Sequence, residues 1–166
     1  RVISQYIDNA TVHTDKSQAT LGTFQTEAPG CKILHLACHG LFRADSPMFS
    51  SLKLHDGWLR AADVMQLDIT GALVTLSACE SGRSQVIPGD EIIGLTRAFL
   101  GAGASTLVVS LWLVQDETTV SLMETWYKQL KDGANRAGAL RAAQLAVKAA
   151  HPHPYYWAPF ILVGQG

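Results

Sequence analysis

Residues 72–82, ALVTLSACESG, decide how the rest of the sequence is read. Leu, Val and Thr follow one another without polar alternation, and the run stops at Cys79 before a small polar turn containing Gly82. Such a run suits a strand covered on both faces, as in the parallel sheets of α/β proteins. Those sheets gather ligands and chemistry beyond the carboxyl ends of their strands, so this reading sets Cys79 at the edge where sites form. Taken alone, the cysteine reads first as a small buried hydrophobe, because free Cys is among the most buried residue types.

A second apolar run lies upstream. Residues 32–40, KILHLACHG, predict another strand, ending in His39 and Gly40. Two strands of one sheet then offer a histidine and a cysteine at one edge, the arrangement a thiol nucleophile and its general base require. The partners need not be close in sequence, since they meet in space. Cys38 is the competing thiol, but adjacent residues of an extended chain point to opposite faces, so Cys38 faces away from His39. His35, inside the strand, reads as a packed, hydrogen-bonded histidine.

HLACHG, LSACESG and SLWLVQD (residues 110–116) occur in the order that resembles the CHAT domain, a caspase-like module found beside TPR repeats and related to separase and the caspases. The resemblance runs from about Ala19 to Gly164 and takes in GLTRAFLGAGAS (94–105), ALRAAQLAV (139–147) and WAPFILVG (157–164). It implies a cysteine protease with a His and Cys dyad, carried here by His39 and Cys79. By the same resemblance the oxyanion is held by the backbone N–H groups of Gly40 and Cys79. CHAT domains usually carry a further N-terminal portion in the same sheet, so the sequence is expected to lack that portion and to work with it and with TPR-type repeats.

Composition sets the class. The 166 residues are enough for one domain, 1–166, with a sizeable core. A net charge of -1 provides no basic field for nucleic acid or an anionic membrane. Hydrophobic residues make up 48% and charged ones 16%, against a usual charged share of about 25%, which leaves apolar surface for a partner. No apolar run reaches a membrane span and no signal-peptide pattern opens the chain, so a cytoplasmic protein is expected. The three cysteines are scattered, with no Cys-x-x-Cys pair, which argues against both a disulfide framework and a zinc site. No cofactor is expected.

Along the chain, residues 1–12 hold at most one short strand, and 16–28 predict a helix stopped by Pro29 and Gly30. Asp56-Gly57 marks a hairpin within 52–60, followed by a short helix over 61–67. Asp90 is the expected N-cap of a helix, 106–112 a third core strand, and Asp116 and Glu117 the acidic head of a helix reaching about Leu130. Residues 135–150 predict an alanine-rich helix, the HPHP segment 151–154 a break, and 157–163 a last strand. Alternation of strands and helices gives an α/β, three-layer, caspase-like sandwich with a mostly parallel central sheet.

The expected activity is endopeptidase cleavage of a protein or peptide substrate, switched on within a larger assembly. The alternative is a non-catalytic caspase-like scaffold that keeps the dyad. SLWLVQD resembles the separase segment LWDVTD, with Leu113 in place of the first aspartate and Asp116 matching the second. Asp116 would therefore give a preference for Arg or Lys before the scissile bond, although helix capping also accounts for it. Ser77, Trp112 and the loop residue Asp45 complete the expected substrate-binding set.

Overall fold

The computed structural model describes residues 2–43, 45–80, 91–112 and 116–166, with the backbone alone for 78–80, 91–93 and 116. In chain order the elements are a 3-10 turn (Ile3–Tyr6), helix α1 (Leu21–Glu27), strand β1 (Ile33–Leu41), a second 3-10 turn (Pro47–Phe49), β2 (Ser51–Lys53), β3 (Trp58–Arg60), α2 (Ala61–Val64), β4 (Leu73–Glu80), α3 (Glu91–Gly101), β5 (Thr106–Ser110), α4 (Asp116–Lys131), α5 (Arg136–Ala150), α6 (Pro154–Trp157) and β6 (Phe160–Gly164). Among the described residues no helix is long and apolar enough to cross a membrane.

The two runs that organised the sequence are neighbours. β1 and β4 pair in parallel, from Ile33 beside Leu73 to Gly40 beside Glu80. β5 extends the parallel set on the far side of β4, with Leu73 beside Thr106. Shorter antiparallel strands finish the sheet, in the order β3-β2-β1-β4-β5-β6. The result is the α/β sandwich expected, with parallel strands at its centre.

Strand periodicity sorts the side chains into two cores. Leu34, Leu36, Val74, Leu76, Leu107 and Val109 face one side, where Val64 of α2 and Leu95, Ala98 and Phe99 of α3 cover them. Leu73 and Val108 face the other, under Leu122, Met123, Trp126 and Tyr127 of α4 and Leu140 and Val147 of α5. Burial on both faces explains why β5 is buried throughout, and why its sequence shows no polar alternation.

Several boundaries differ from expectation, each for a local reason. Residues 2–12 hold a 3-10 turn and no strand, because Ile3, Tyr6 and Ile7 pack as one face against the second core and the Tyr6 hydroxyl donates to Glu124 at 3.0 Å. α1 begins at Leu21 because the Thr20 hydroxyl accepts from the Thr23 N–H at 3.2 Å. The hairpin at Asp56-Gly57 is present, and the Asp56 carboxylate accepts from the Leu21 N–H at 2.8 Å, tying it to that helix start. β5 stops at Ser110, before Trp112. The last strand begins at Phe160, since Pro154 opens a helical turn whose Tyr155 N–H donates to His153 Nδ1 at 3.2 Å. The Asp90 cap lies outside the described residues.

Candidate active site

β1 runs past Cys38 to Leu41, so His39 and Gly40 lie within the sheet's edge. Its last residues are fixed from both sides: Gly40 lies beside Glu80 of β4 and beside Leu52 of β2. His39 is the register partner of Cys79. Neighbouring strands are about 4.8 Å apart, so the two backbones hold these positions one strand spacing from each other. Both positions have the strand parity of Ile33, His35, Leu73 and Thr75, on the α4 side of the sheet. His39 itself is exposed, beyond the helices that cover the residues earlier in β1.

Cys38 goes the other way. It is half-buried against the first core, with Leu34 and Leu36, and burial pushes its thiol up to about 11. A thiol in that state is almost wholly protonated near neutral pH and is a poor nucleophile.

The remaining expected residues belong to β4, to the loop after β1, to the segment after β5 and to α4. Ser77 is half-buried in β4, two positions before Cys79 and on the same side of the sheet. Asp45 lies in the loop after β1, largely exposed, with its carboxylate 3.6 Å from Arg43 Nε. The Trp112 indole N–H donates to the Tyr155 carbonyl at 3.1 Å, and its ring packs against the second core. Asp116 is the first residue of α4; its side chain, with those of Cys79 and Glu80, lies outside the described set, as do Gly82 and Leu113. The register therefore joins His39, Gly40 and Cys79. Asp45 and Trp112 have their described partners elsewhere, in Arg43 and Tyr155.

Beneath the edge lies a polar chain that sequence reading found only at one end. The Tyr127 hydroxyl bridges His35 Nδ1 at 3.0 Å and Thr75 Oγ1 at 2.9 Å, joining α4 to both central strands. Burial pushes His35 down to about 4 and raises the Tyr127 hydroxyl above its usual range, so both are neutral at physiological pH. Four residues of strand separate this chain from His39 and Cys79, about 13 Å. His35 and Thr75 sit in register, as His39 and Cys79 do.

The loop after His39 is braced by the helix that follows β4. A Cβ on Gly94 of α3 would lie 2.1 Å from the Pro47 carbonyl oxygen and 2.7 Å from its carbon, so only glycine admits this approach. The Ser50 hydroxyl accepts from the Arg43 N–H at 3.0 Å and closes the loop from within.

A sheet of this order, filled on both faces by helices and carrying a histidine and a cysteine position side by side at the carboxyl edge of its central strands, is a caspase-like α/β architecture. The chain belongs to the CHAT domain family, whose profile matches residues 1–165, including those ahead of Ala19. It is similar to tetratricopeptide repeat protein 28 of Homo sapiens, 33% identical over 151 residues, which is 90% of this chain and 6% of that protein. The protein of the same name from Mus musculus is 35% identical over 109 residues, 64% of this chain and 4% of that protein. The chain thus spans a small fraction of the length of these relatives.

Proposed function

We propose that this domain is a cysteine endopeptidase using His39 and Cys79 as its dyad. The observation that supports it best is the register of β1 and β4, which sets the two residues beside each other at the edge where open α/β sheets bind ligands. The exposed His39 imidazole takes the Cys79 thiol proton, and the thiolate attacks the scissile carbonyl to give a tetrahedral oxyanion. The backbone N–H groups of Gly40 and Cys79 are the proposed donors to that oxyanion. Collapse expels the amine, protonated by His39, and leaves an acyl-thioester that water hydrolyses. Cys38 is the weaker candidate because it packs into the core with a raised pKa.

Asp116, at the head of α4, is the proposed carboxylate for a basic residue before the scissile bond, with Ser77, Asp45 and Trp112 around it. The tetratricopeptide repeats in the names of the relatives support the proposal that the domain works beside such repeats and is activated there. A working thiol fits a reducing, cytoplasmic setting. The test is cleavage of a peptide library by the wild type and Cys79→Ala, together with labelling by a thiol-reactive peptide electrophile. Cleavage and labelling lost in Cys79→Ala support the reading. Neither cleavage nor labelling by the wild type, alone or joined to its repeats, leaves the interaction scaffold as the function.

A further inference from the structure

We propose that a cleft at the opposite, amino-terminal edge of the sheet binds a small organic anion with an apolar body. The cleft holds about 600 Å³, within the range of small-molecule sites, and lies where β1, β4 and α5 begin. From Ile33 to His39 the strand covers six residues, about 20 Å, so the peptide site and this cleft are separate.

Its charge is one-sided. Arg136 lines the cleft half-buried, and its Nη1 donates to the hydroxyls of Ser105, at 2.9 Å, and Thr106. Both hydroxyls are themselves fixed as donors, Ser105 to the Gly71 carbonyl at 2.8 Å and Thr106 to the Gln165 carbonyl. Neutral oxygens therefore hold the guanidinium in place without neutralising it. Among the described residues no carboxylate lies within ion-pair distance of Arg136. Lys32 supplies a second cation to the same lining. Asp68, two residues before Thr70 of the lining, is turned onto its own loop, accepting from the Thr70 N–H at 3.1 Å and hydroxyl at 2.7 Å.

Much of the remaining wall is apolar, with Thr70 and the backbone of Gly30 and Gly71 beside it. Ile33, Leu73 and Leu130 line the cleft, and no atom lies within 4 Å of the space a Cβ would take at Gly71. Two cations beside hydrocarbon select a charged head on an apolar body, and a guanidinium matches a phosphate or carboxylate head with paired N–H bonds. Bare phosphate would use the cations and leave the apolar wall wet.

The experiment is calorimetric titration of the whole chain with phenyl phosphate, benzoate and inorganic phosphate, with Lys32→Gln and Arg136→Gln as variants. Saturable binding of phenyl phosphate or benzoate, about tenfold tighter than inorganic phosphate and weakened about tenfold in Lys32→Gln, is expected. The stronger of the two organic probes identifies the head group. Lys32 is exposed and makes no described side-chain bond, so its variant tests the site without threatening the fold. No saturable binding of either organic probe at millimolar concentration, or affinity unchanged in Lys32→Gln and in a folded Arg136→Gln, overturns the proposal. The readout is binding, so its outcome is independent of peptide cleavage.

Discussion

Replacing Gly94 by alanine tests the contact that braces the loop after His39. The added methyl would lie 2.1 Å from the Pro47 carbonyl oxygen and 2.9 Å from Pro47 Cβ, so helix and loop must separate by about an ångström to reach ordinary contact. Overpacking of this kind costs about 2–3 kcal/mol against backbone that cannot rotate away. Alanine returns about 1 kcal/mol through its better helix propensity, leaving a net loss of about 1–2 kcal/mol. In a chain of this size that is a fall in Tm of about 2–8 °C, measured by circular dichroism or calorimetry. Gly22, in α1, is the matched control, since a Cβ there meets nothing within 4 Å and Gly22→Ala should hold or raise Tm. A Gly94→Ala protein with unchanged or higher Tm would refute the reasoning, because the close approach would then not constrain the loop.

Cys79→Ala and His39→Ala should each lower peptide cleavage by several orders of magnitude with an unchanged circular dichroism spectrum, while Cys38→Ala retains it; loss confined to Cys38→Ala would reassign the nucleophile. Cleavage after Arg and Lys should exceed that after Asp and Leu and fall in Asp116→Asn, and an Asp116→Asn variant with full Arg selectivity would remove the carboxylate from the pocket. His35 has a folded pKa depressed to about 4, against about 6.5 unfolded, so the unfolded chain takes up a proton first as pH falls. Its contribution is present above about pH 6.5 and is lost towards pH 4, by up to about 3 kcal/mol. Urea midpoints across that window should slope less steeply in His35→Gln; identical slopes would show that His35 does not control the acid limb. Tyr127→Phe should cost about 1–3 kcal/mol in the same assay, by leaving His35 and Thr75 without their shared partner.

The central strands could be read from sequence because burial on both faces writes itself as an unbroken apolar run with an abrupt polar end. The same parity rule that puts Leu73 and Val74 on opposite cores separates Cys38 from His39 in the sequence alone. His35 was recognisable as packed, but its partner was not, since Tyr127 has the same helical spacing as any core aromatic of α4. The Gly94 approach and the Arg136 hydroxyl pair are contacts between elements distant in the chain, and nothing in the local sequence marks them. The amino-terminal turn was missed because a few apolar residues carry too little periodicity to tell one turn of helix from a strand. Asp116 illustrates a different limit: a carboxylate at a helix head has the same sequence signature whether it caps the helix or meets a substrate.

The pairing of β5 with β6 has a consequence for how the domain is made. Thr106 pairs with Gly164 and Ser110 with Phe160, so β5 waits for a strand that lies beyond α4, α5 and α6. On a ribosome, β1 to β5 emerge before β6 and form a sheet whose margin at β5 has unpaired amides and carbonyls. Long-range closures of this kind are slow, because the chain loses loop entropy before the contacts form. During that interval Thr106–Ser110, apolar and strand-forming, is the segment most open to pairing with another nascent chain. A chain halted before Phe160 would keep that margin open permanently, and polysomes stalled there are where co-translational aggregation of this domain should begin.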